Sequence, residues 1–204
     1  MDLTRFADGR WRELLPLLPQ DRQARVLSYR FEADRIRSAG SGWLLQQVLE
    51  QAGIPPEAQV FSTNSFGKPE LAHRADVHFS LSHSGSWAVC ALSAQPVGVD
   101  VELPRCSIAV ARRHFHPEEL AQATDADALC RLWTAKEAFV KALGRGLTIP
   151  LNSFRVQLEP LTLIQDYTSL PLQLHSYRLP PCRVTLCTTD PRPELTIVTK
   201  VCSK

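Results

Sequence analysis

One order of elements occurs twice in this chain, and it constrains the fold more than any single motif. A long stretch of helical periodicity is followed by several short strand-like runs. In the first half, residues 32–51 carry Ile36, Trp43, Leu44, Val48 and Leu49 as an apolar stripe, and Gly53 supplies the stop. Strand signals follow at 59–62, 77–81, 87–92 and 97–101, with Ser84-Gly85 as the turn between two of them. In the second half the helical pattern covers 126–143 and stops at Gly144, and strand signals follow at 154–158, 172–177, 183–188 and 195–201. Shorter helices are expected at 10–18, at 21–29 with Asp21 as cap, and at 118–122. The expectation is an α+β protein of two similar lobes, 1–103 and 104–204, with a ligand site at their junction.

A chain of 204 residues fits one large domain or two small ones. No apolar run approaches the ~20 residues of a membrane span. The N-terminus lacks the basic-then-apolar pattern of a signal peptide, so a cytoplasmic protein without membrane contact is expected. The six cysteines, at 90, 106, 130, 182, 187 and 202, include no Cys-x-x-Cys pair and no zinc spacing, and read as free thiols. A net charge of +2 says little, but Arg105 to Arg113 is basic, with no acid before Glu118. Such a surface suits an acidic protein partner and is too sparse for nucleic acid.

The chemistry concentrates in carboxylates. Within Gly98-Val99-Asp100-Val101-Glu102, alternate side chains of a strand put Asp100 and Glu102 on one face and the valines on the other. A half-exposed strand gives the same alternation without function. Two like charges on one face repel, and a bound cation relieves that cost. Further on, Trp133-Thr134-Ala135-Lys136-Glu137-Ala138 places Glu137 four residues before Lys141, one helical turn apart. That pair alone reads as a surface ion pair, although Trp133 on the same face suggests partial burial. Asp100, Glu102 and Glu137 together offer three hard oxygen ligands to a divalent cation, with the Lys141 ammonium beside them.

Other segments point to phosphate. Ser80-Leu81-Ser82-His83-Ser84-Gly85-Ser86 lacks the Gly-x-Ser-x-Gly elbow of a serine nucleophile and reads as a phosphate-binding turn at a strand end, or as a structural loop. Phe66-Gly67-Lys68-Pro69 is a turn with a lysine at its tip. Arg22, Arg25, Arg35 and Arg37 surround the start of the first long helix, either to hold a polyanion or as a solvated face. His114 and His116 read as structural or surface residues.

Together these segments resemble the 4′-phosphopantetheinyl transferases of the surfactin-synthetase-activating type. The matching residues are Phe61-Ser62-Thr63, Phe66-Gly67-Lys68-Pro69, His78 through Gly85, Gln95 through Glu102, Leu132 through Lys141, Gly144-x-Gly146-Leu147 and Pro150-Leu151-x-Ser153-Phe154. The resemblance covers about residues 20–158. Its two signatures, Gly-x-Asp-x-Glu and Trp-x-x-Lys-Glu-x-x-x-Lys, keep the family's order and separation.

The resemblance implies two α+β lobes related by a pseudo-twofold axis, with coenzyme A in the cleft and one active site per monomer. It implies that Asp100, Glu102 and Glu137 hold Mg²⁺ and that Lys141 contacts the coenzyme A phosphates. It places Ser82 and His83 on the 3′-phosphate side, with Arg22, Arg25, Ser38 and Lys68 as further phosphate or adenine-end contacts. The expected reaction moves the phosphopantetheine arm of coenzyme A onto a serine of an apo acyl, peptidyl or polyketide carrier protein, with Glu137 and Lys141 as catalytic residues. A coenzyme A-binding module without catalysis and a metal-dependent phosphohydrolase are the competing readings.

Overall fold

The computed structural model describes residues 1–194 of the chain. The strand expected at 195–201 and Cys202 lie outside the described residues. The first half opens with two 3₁₀ runs, Thr4–Phe6 and then Arg10–Leu17, the second where an α-helix was expected. Pro16 stands inside that run and cannot donate to an α-helical ladder. Helix α1 spans Gln20–Ser28 and helix α2 spans Glu32–Gln51. Asp21 does not cap α1; Pro19 holds the N-cap position, and no side chain bonds there. In α2 the expected stripe widens to continuous burial over residues 38–46. The small run Ser38-Ala39-Gly40-Ser41-Gly42 allows this close packing. A Cβ on Gly40 would lie 2.4 Å from Leu3 Cδ2.

The strands of the first half are β1 (Phe61–Thr63), β2 (Pro69–Leu71), β3 (His78–Ser84), β4 (Trp87–Ser93) and β5 (Gly98–Glu102). β1 pairs with β2, and β3 with β4 through the Gly85-Ser86 turn, both antiparallel. The second half contributes α3 (Ile108–His114), which the sequence reading did not anticipate, α4 (Pro117–Leu120) and α5 (Ala126–Leu143). β6 (Arg155–Leu158) and β7 (Leu161–Ile164) form a hairpin; β8 (Gln173–Leu179) and β9 (Cys182–Thr188) form another. β5 lies before the expected boundary at 103, yet its backbone ladder runs to β9, giving a sheet ordered β5-β9-β8.

Helix α5 has the limits its sequence announces. The Asp125 carboxylate accepts the Ala128 amide at 2.7 Å, and Gly144 closes the helix at φ +66°. Its inner face carries Leu129, Leu132, Ala135, Ala138 and Phe139 into a core with Phe154, Val156 and Leu174. Lys136 is fully buried on this face. Its ammonium pairs with Glu119 at 2.7 Å and donates to the Leu151 and Phe154 carbonyls at 2.6 and 2.8 Å. Glu119 in turn accepts the His116 and Val156 amides, and His116 caps α4 through Nδ1. The first half has its own core, in which Leu3, Phe6, Trp11 and Leu14 pack on Trp43 and Leu44 of α2.

Among the described residues no helix is long and apolar enough to cross a membrane. Cys90, Cys106, Cys130, Cys182 and Cys187 are free thiols.

Candidate functional site

β5 is clamped on three sides, and this clamp fixes the carboxylates. On one edge it ladders with β9. On one face lies α5, and Gly98 makes that approach possible: a Cβ there would fall 1.9 Å from the Ala138 carbonyl oxygen and 2.4 Å from the Ala142 amide nitrogen. The glycine of Gly-x-Asp-x-Glu is therefore a packing requirement between a strand and the backbone of the helix that carries Glu137. Val99 and Val101 fill a separate cluster with Cys182 and Val184. Asp100 is also buried, at 4% exposure, so β5 is enclosed on both faces and the half-exposed-strand reading is excluded.

The third side is β3. The Ser80, Ser82 and Ser84 hydroxyls face β5 and join the two strands without a backbone ladder. Ser80 Oγ accepts the Val99 amide at 3.0 Å. Ser82 Oγ donates to Asp100 Oδ1 at 2.7 Å. Ser84 Oγ donates to Glu102 Oε2 at 2.6 Å and accepts the Leu103 amide at 3.2 Å. Residue numbers rise together on both strands, so they run in the same direction. The segment expected to be a phosphate turn is thus strand β3, and its alternating serines are a stitch. Period-two serine spacing carried that signal.

Lys141 departs from the expected helical pair with Glu137. Its ammonium sits 2.5 Å from Asp100 Oδ1 and 3.0 Å from Ser82 Oγ. The other Asp100 oxygen, Oδ2, is buried with no hydrogen-bond partner among the described residues. Glu137 and Glu102 both have pKa values raised above the ordinary carboxylate range. Loss of water is the main cause for each, and the Asp100 charge adds to it. The three carboxylates therefore feel one another, but they do not form a finished cage. Among the described residues no three His, Cys, Asp or Glu side chains stand close enough to hold an ion by themselves. The Lys141 ammonium pairs with Asp100 and also lowers the pKa of Glu102 and Glu137, against the burial that raises them.

These side chains line a cleft of about 880 Å³. It gathers every site residue the resemblance implies: Asp100, Glu102, Glu137 and Lys141, Ser82 and His83, and Arg22, Arg25, Ser38 and Lys68; Arg35 does not line it and donates to the Tyr29 carbonyl at 2.8 Å. Arg22 is half-buried, makes no hydrogen bond among the described residues, and has its pKa lowered by desolvation and by neighbouring Arg25. The His83 pKa is lowered by lost water and by the Arg37 guanidinium. Ser38 Oγ is buried and unpartnered.

Lys68 has a different engagement from the one expected. Its ammonium donates to the Val97 and Lys141 carbonyls at 3.2 and 2.8 Å, and Asn64 Nδ2 donates to the Gly144 carbonyl at 2.9 Å. The β1–β2 turn thereby fastens to the end of α5, where a cation also meets the negative end of the helix dipole. Sequence reading missed Asn64, Ser80 and Ser84 as organisers of the site. Arg37, one of the arginines the sequence placed around the start of the first long helix, lines the cleft and is paired with Asp34.

A second cleft, of about 680 Å³, lies between α4, α5 and β6. Most of its charged side chains are ion-paired, Arg155 with Glu118, Arg131 with Glu159, Asp127 with Arg183 and Glu119 with the buried Lys136, while Asp125 caps α5.

Comparison with known proteins matches the chain in two consecutive parts. Residues 96–180 match the family model described as the 4′-phosphopantetheinyl transferase superfamily, and residues 7–95 match the N-terminal model of 4′-phosphopantetheinyl transferase. The chain is 34% identical over 165 residues to the 4′-phosphopantetheinyl transferase Sfp of Bacillus subtilis, covering 72% of this chain and 74% of that protein. It is 31% identical over 191 residues to psf-1 of Bacillus pumilus, covering 88% of this chain and 82% of that protein. It is 37% identical over 143 residues to gsp of Aneurinibacillus migulanus, covering 66% of this chain but only 60% of that protein. With both halves matched in order, and with relatives above 30% identity covered over more than two thirds of their length, this chain belongs to the Sfp-type 4′-phosphopantetheinyl transferases.

Proposed function

We propose that this enzyme transfers the 4′-phosphopantetheine arm of coenzyme A to a serine hydroxyl of an apo carrier protein and releases adenosine 3′,5′-bisphosphate. The observation that carries the reading is the composition of one cleft. Three carboxylates and Lys141 stand at β5 and α5, and a wall of arginines with His83 also lines it. Coenzyme A has matching parts: a diphosphate, and a separate phosphate on its ribose.

Asp100, Glu102 and Glu137 are the residues that would hold Mg²⁺. The fit rests on an all-oxygen donor set, suited to a hard cation, and on the unpartnered Asp100 Oδ2. The raised pKa values of Glu102 and Glu137 express the same unmet need for positive charge. Diphosphate oxygens and water would complete the shell. The ion supplies neutralisation of charge on the diphosphate as it is cleaved.

The chain's own residues do the rest. The carrier serine oxygen attacks the β-phosphorus, a new P–O bond forms, and the bond to the leaving adenosine 3′,5′-bisphosphate breaks. Glu137 accepts the serine proton, directly or through a water. Lys141 moves its ammonium from Asp100 toward the departing phosphate and donates a hydrogen bond there. Ser82 keeps Asp100 oriented when the ammonium leaves. Lys68 and Asn64 fix the end of α5, and so the position of Lys141.

The carrier docks beside the exit of β5, on α3. Arg112 and Arg113 give that helix positive charge, and Ile108 and Val110 are 42% and 40% exposed beside them. An acidic amphipathic helix would match both features. The two halves read as pseudo-twofold lobes, α2 over β3–β4 in one and α5 over β5-β9-β8 in the other, acting as a cytoplasmic monomer.

The deciding experiment is mass spectrometry of an apo carrier protein incubated with this protein, coenzyme A and Mg²⁺. The expected product is carrier bearing one phosphopantetheine on serine. Release of free phosphopantetheine with unmodified carrier would indicate a phosphohydrolase, and coenzyme A binding without any product a non-catalytic module.

A further inference from the structure

The α1–α2 wall of the cleft contains a hydroxyl that neither the mechanism nor the sequence motifs use. Asp34, Arg37, Ser38 and Ser41 of α2 all line the cleft, at the spacing of one helical face. Ser41 is 5% exposed, and its Oγ is buried with no hydrogen-bond partner among the described residues. A serine in a helix commonly satisfies itself by bonding a carbonyl one turn back. Ser41 does not, and neither does Ser38 one turn earlier. A buried hydroxyl left unpaired costs about 1–3 kcal/mol, so the pair needs an explanation beyond packing.

The surroundings indicate what would satisfy it. Arg22 and Arg25 come from α1, and Arg37 from the same face as the serines. The one acid on this wall, Asp34, is spent on Arg37. Next to Ser41, Gly42 leaves room for the Arg22 side chain: a Cβ there would lie 3.3 Å from Arg22 Cγ and Nε. Arg22 therefore rests on α2 one residue from Ser41, with its guanidinium hydrogen bonds unspent among the described residues. Rotation of this one long side chain toward an anion opens the helix face beneath it. The carboxylate end of the cleft repels an unescorted phosphate; this end attracts one.

Resting on the reading above that coenzyme A is the ligand, we propose that Ser41 is a further ligand-binding residue, donating its hydroxyl proton to an oxygen of the ribose 3′-phosphate beside Arg22. Ser38 and Ser41 would then flank the phosphate from the helix while the arginines hold it from α1.

The test is calorimetric titration of wild type and Ser41→Ala with coenzyme A and with dephospho-coenzyme A, which lacks only the 3′-phosphate. Coenzyme A should bind roughly tenfold more weakly to the variant, the loss expected for one hydrogen bond to a charged group. Dephospho-coenzyme A should bind both proteins equally. The melting temperature of ligand-free Ser41→Ala should equal or exceed that of wild type, because an unpartnered hydroxyl is removed. Unchanged coenzyme A affinity, or an equal loss for both compounds, overturns the assignment of Ser41. If wild type transfers the arm while Ser41→Ala binds coenzyme A normally, only Ser41 is misassigned; if wild type binds neither compound, the coenzyme A reading falls with it.

Discussion

Lys141 and Lys136 lie five residues apart on one helix and do opposite work. Lys141 is partly exposed at the cleft and shares its charge with Asp100 and Ser82. Lys136 is sealed in the core, and burial lowers its pKa while Glu119 opposes that shift. Replacing Lys136 with Met leaves the Glu119 charge buried without its partner. The expected cost is about 3–5 kcal/mol of unfolding free energy, read from urea denaturation. Replacing Lys141 with Met also strands the buried Asp100 carboxylate, so ligand-free stability should fall too, and kcat should fall far more than Mg²⁺ binding weakens. An unchanged kcat with weaker coenzyme A binding would make Lys141 a binding residue only. His83 gives the pH dependence. Its folded pKa lies below the ordinary histidine value, so the unfolded chain takes up the proton first as pH falls. Stability from this group is complete above the ordinary histidine pKa and is lost as pH drops through that value toward the folded one. Thermal melts of ligand-free protein should show His83→Gln losing less stability than wild type between neutral and mildly acidic pH.

At the scale of elements, the approach of β5 to α5 decides whether the carboxylates can cooperate. Gly98→Ala would drive a methyl into the backbone of α5 at Ala138 and Ala142. The strand must shift, carrying Asp100 and Glu102 away from Glu137. The expected outcome is a folded but destabilised protein whose Mg²⁺ affinity in the presence of coenzyme A falls with its melting temperature; wild-type affinity in Gly98→Ala would mean the contact is not what aligns the site. The same contact shows what the sequence could and could not reveal. Helices α2 and α5 were legible to the residue, because the helical pattern agreed with a glycine stop, Gly53 after the first and Gly144 after the second. Helix α3 was not, because its seven residues include Ile108 and Val110 on the exposed side and give no clean stripe. The members of the cleft were legible as a set of residue types. Their partners were not. The Lys141–Asp100 pair spans 41 residues and the Ser82–Asp100 bond 18, and no local spacing encodes either. The serine alternation of β3 looked like loop chemistry because serine is more common in turns than in a strand used as a polar seam.

Across the whole molecule, the two halves meet along polar seams as well as apolar ones: the β3–β5 serines, the Asn64 and Lys68 bonds to the end of α5, and the cleft between them. The exposed basic and apolar residues of α3, Arg112, Arg113, Ile108 and Val110, take no part in those seams, and it is there that we propose the carrier docks. If docking is steered by charge, the apparent KM for an acidic carrier should rise with ionic strength while kcat holds. A flat response would remove Arg112 and Arg113 from the docking surface. The account as a whole requires one divalent ion shared by a strand and a distant helix. Calorimetric titration of Mg²⁺ into the coenzyme A-loaded protein tests this directly. One ion per chain should bind to wild type, and binding should be lost in both Asp100→Asn and Glu137→Gln; retention of wild-type Mg²⁺ affinity in either variant would contradict it.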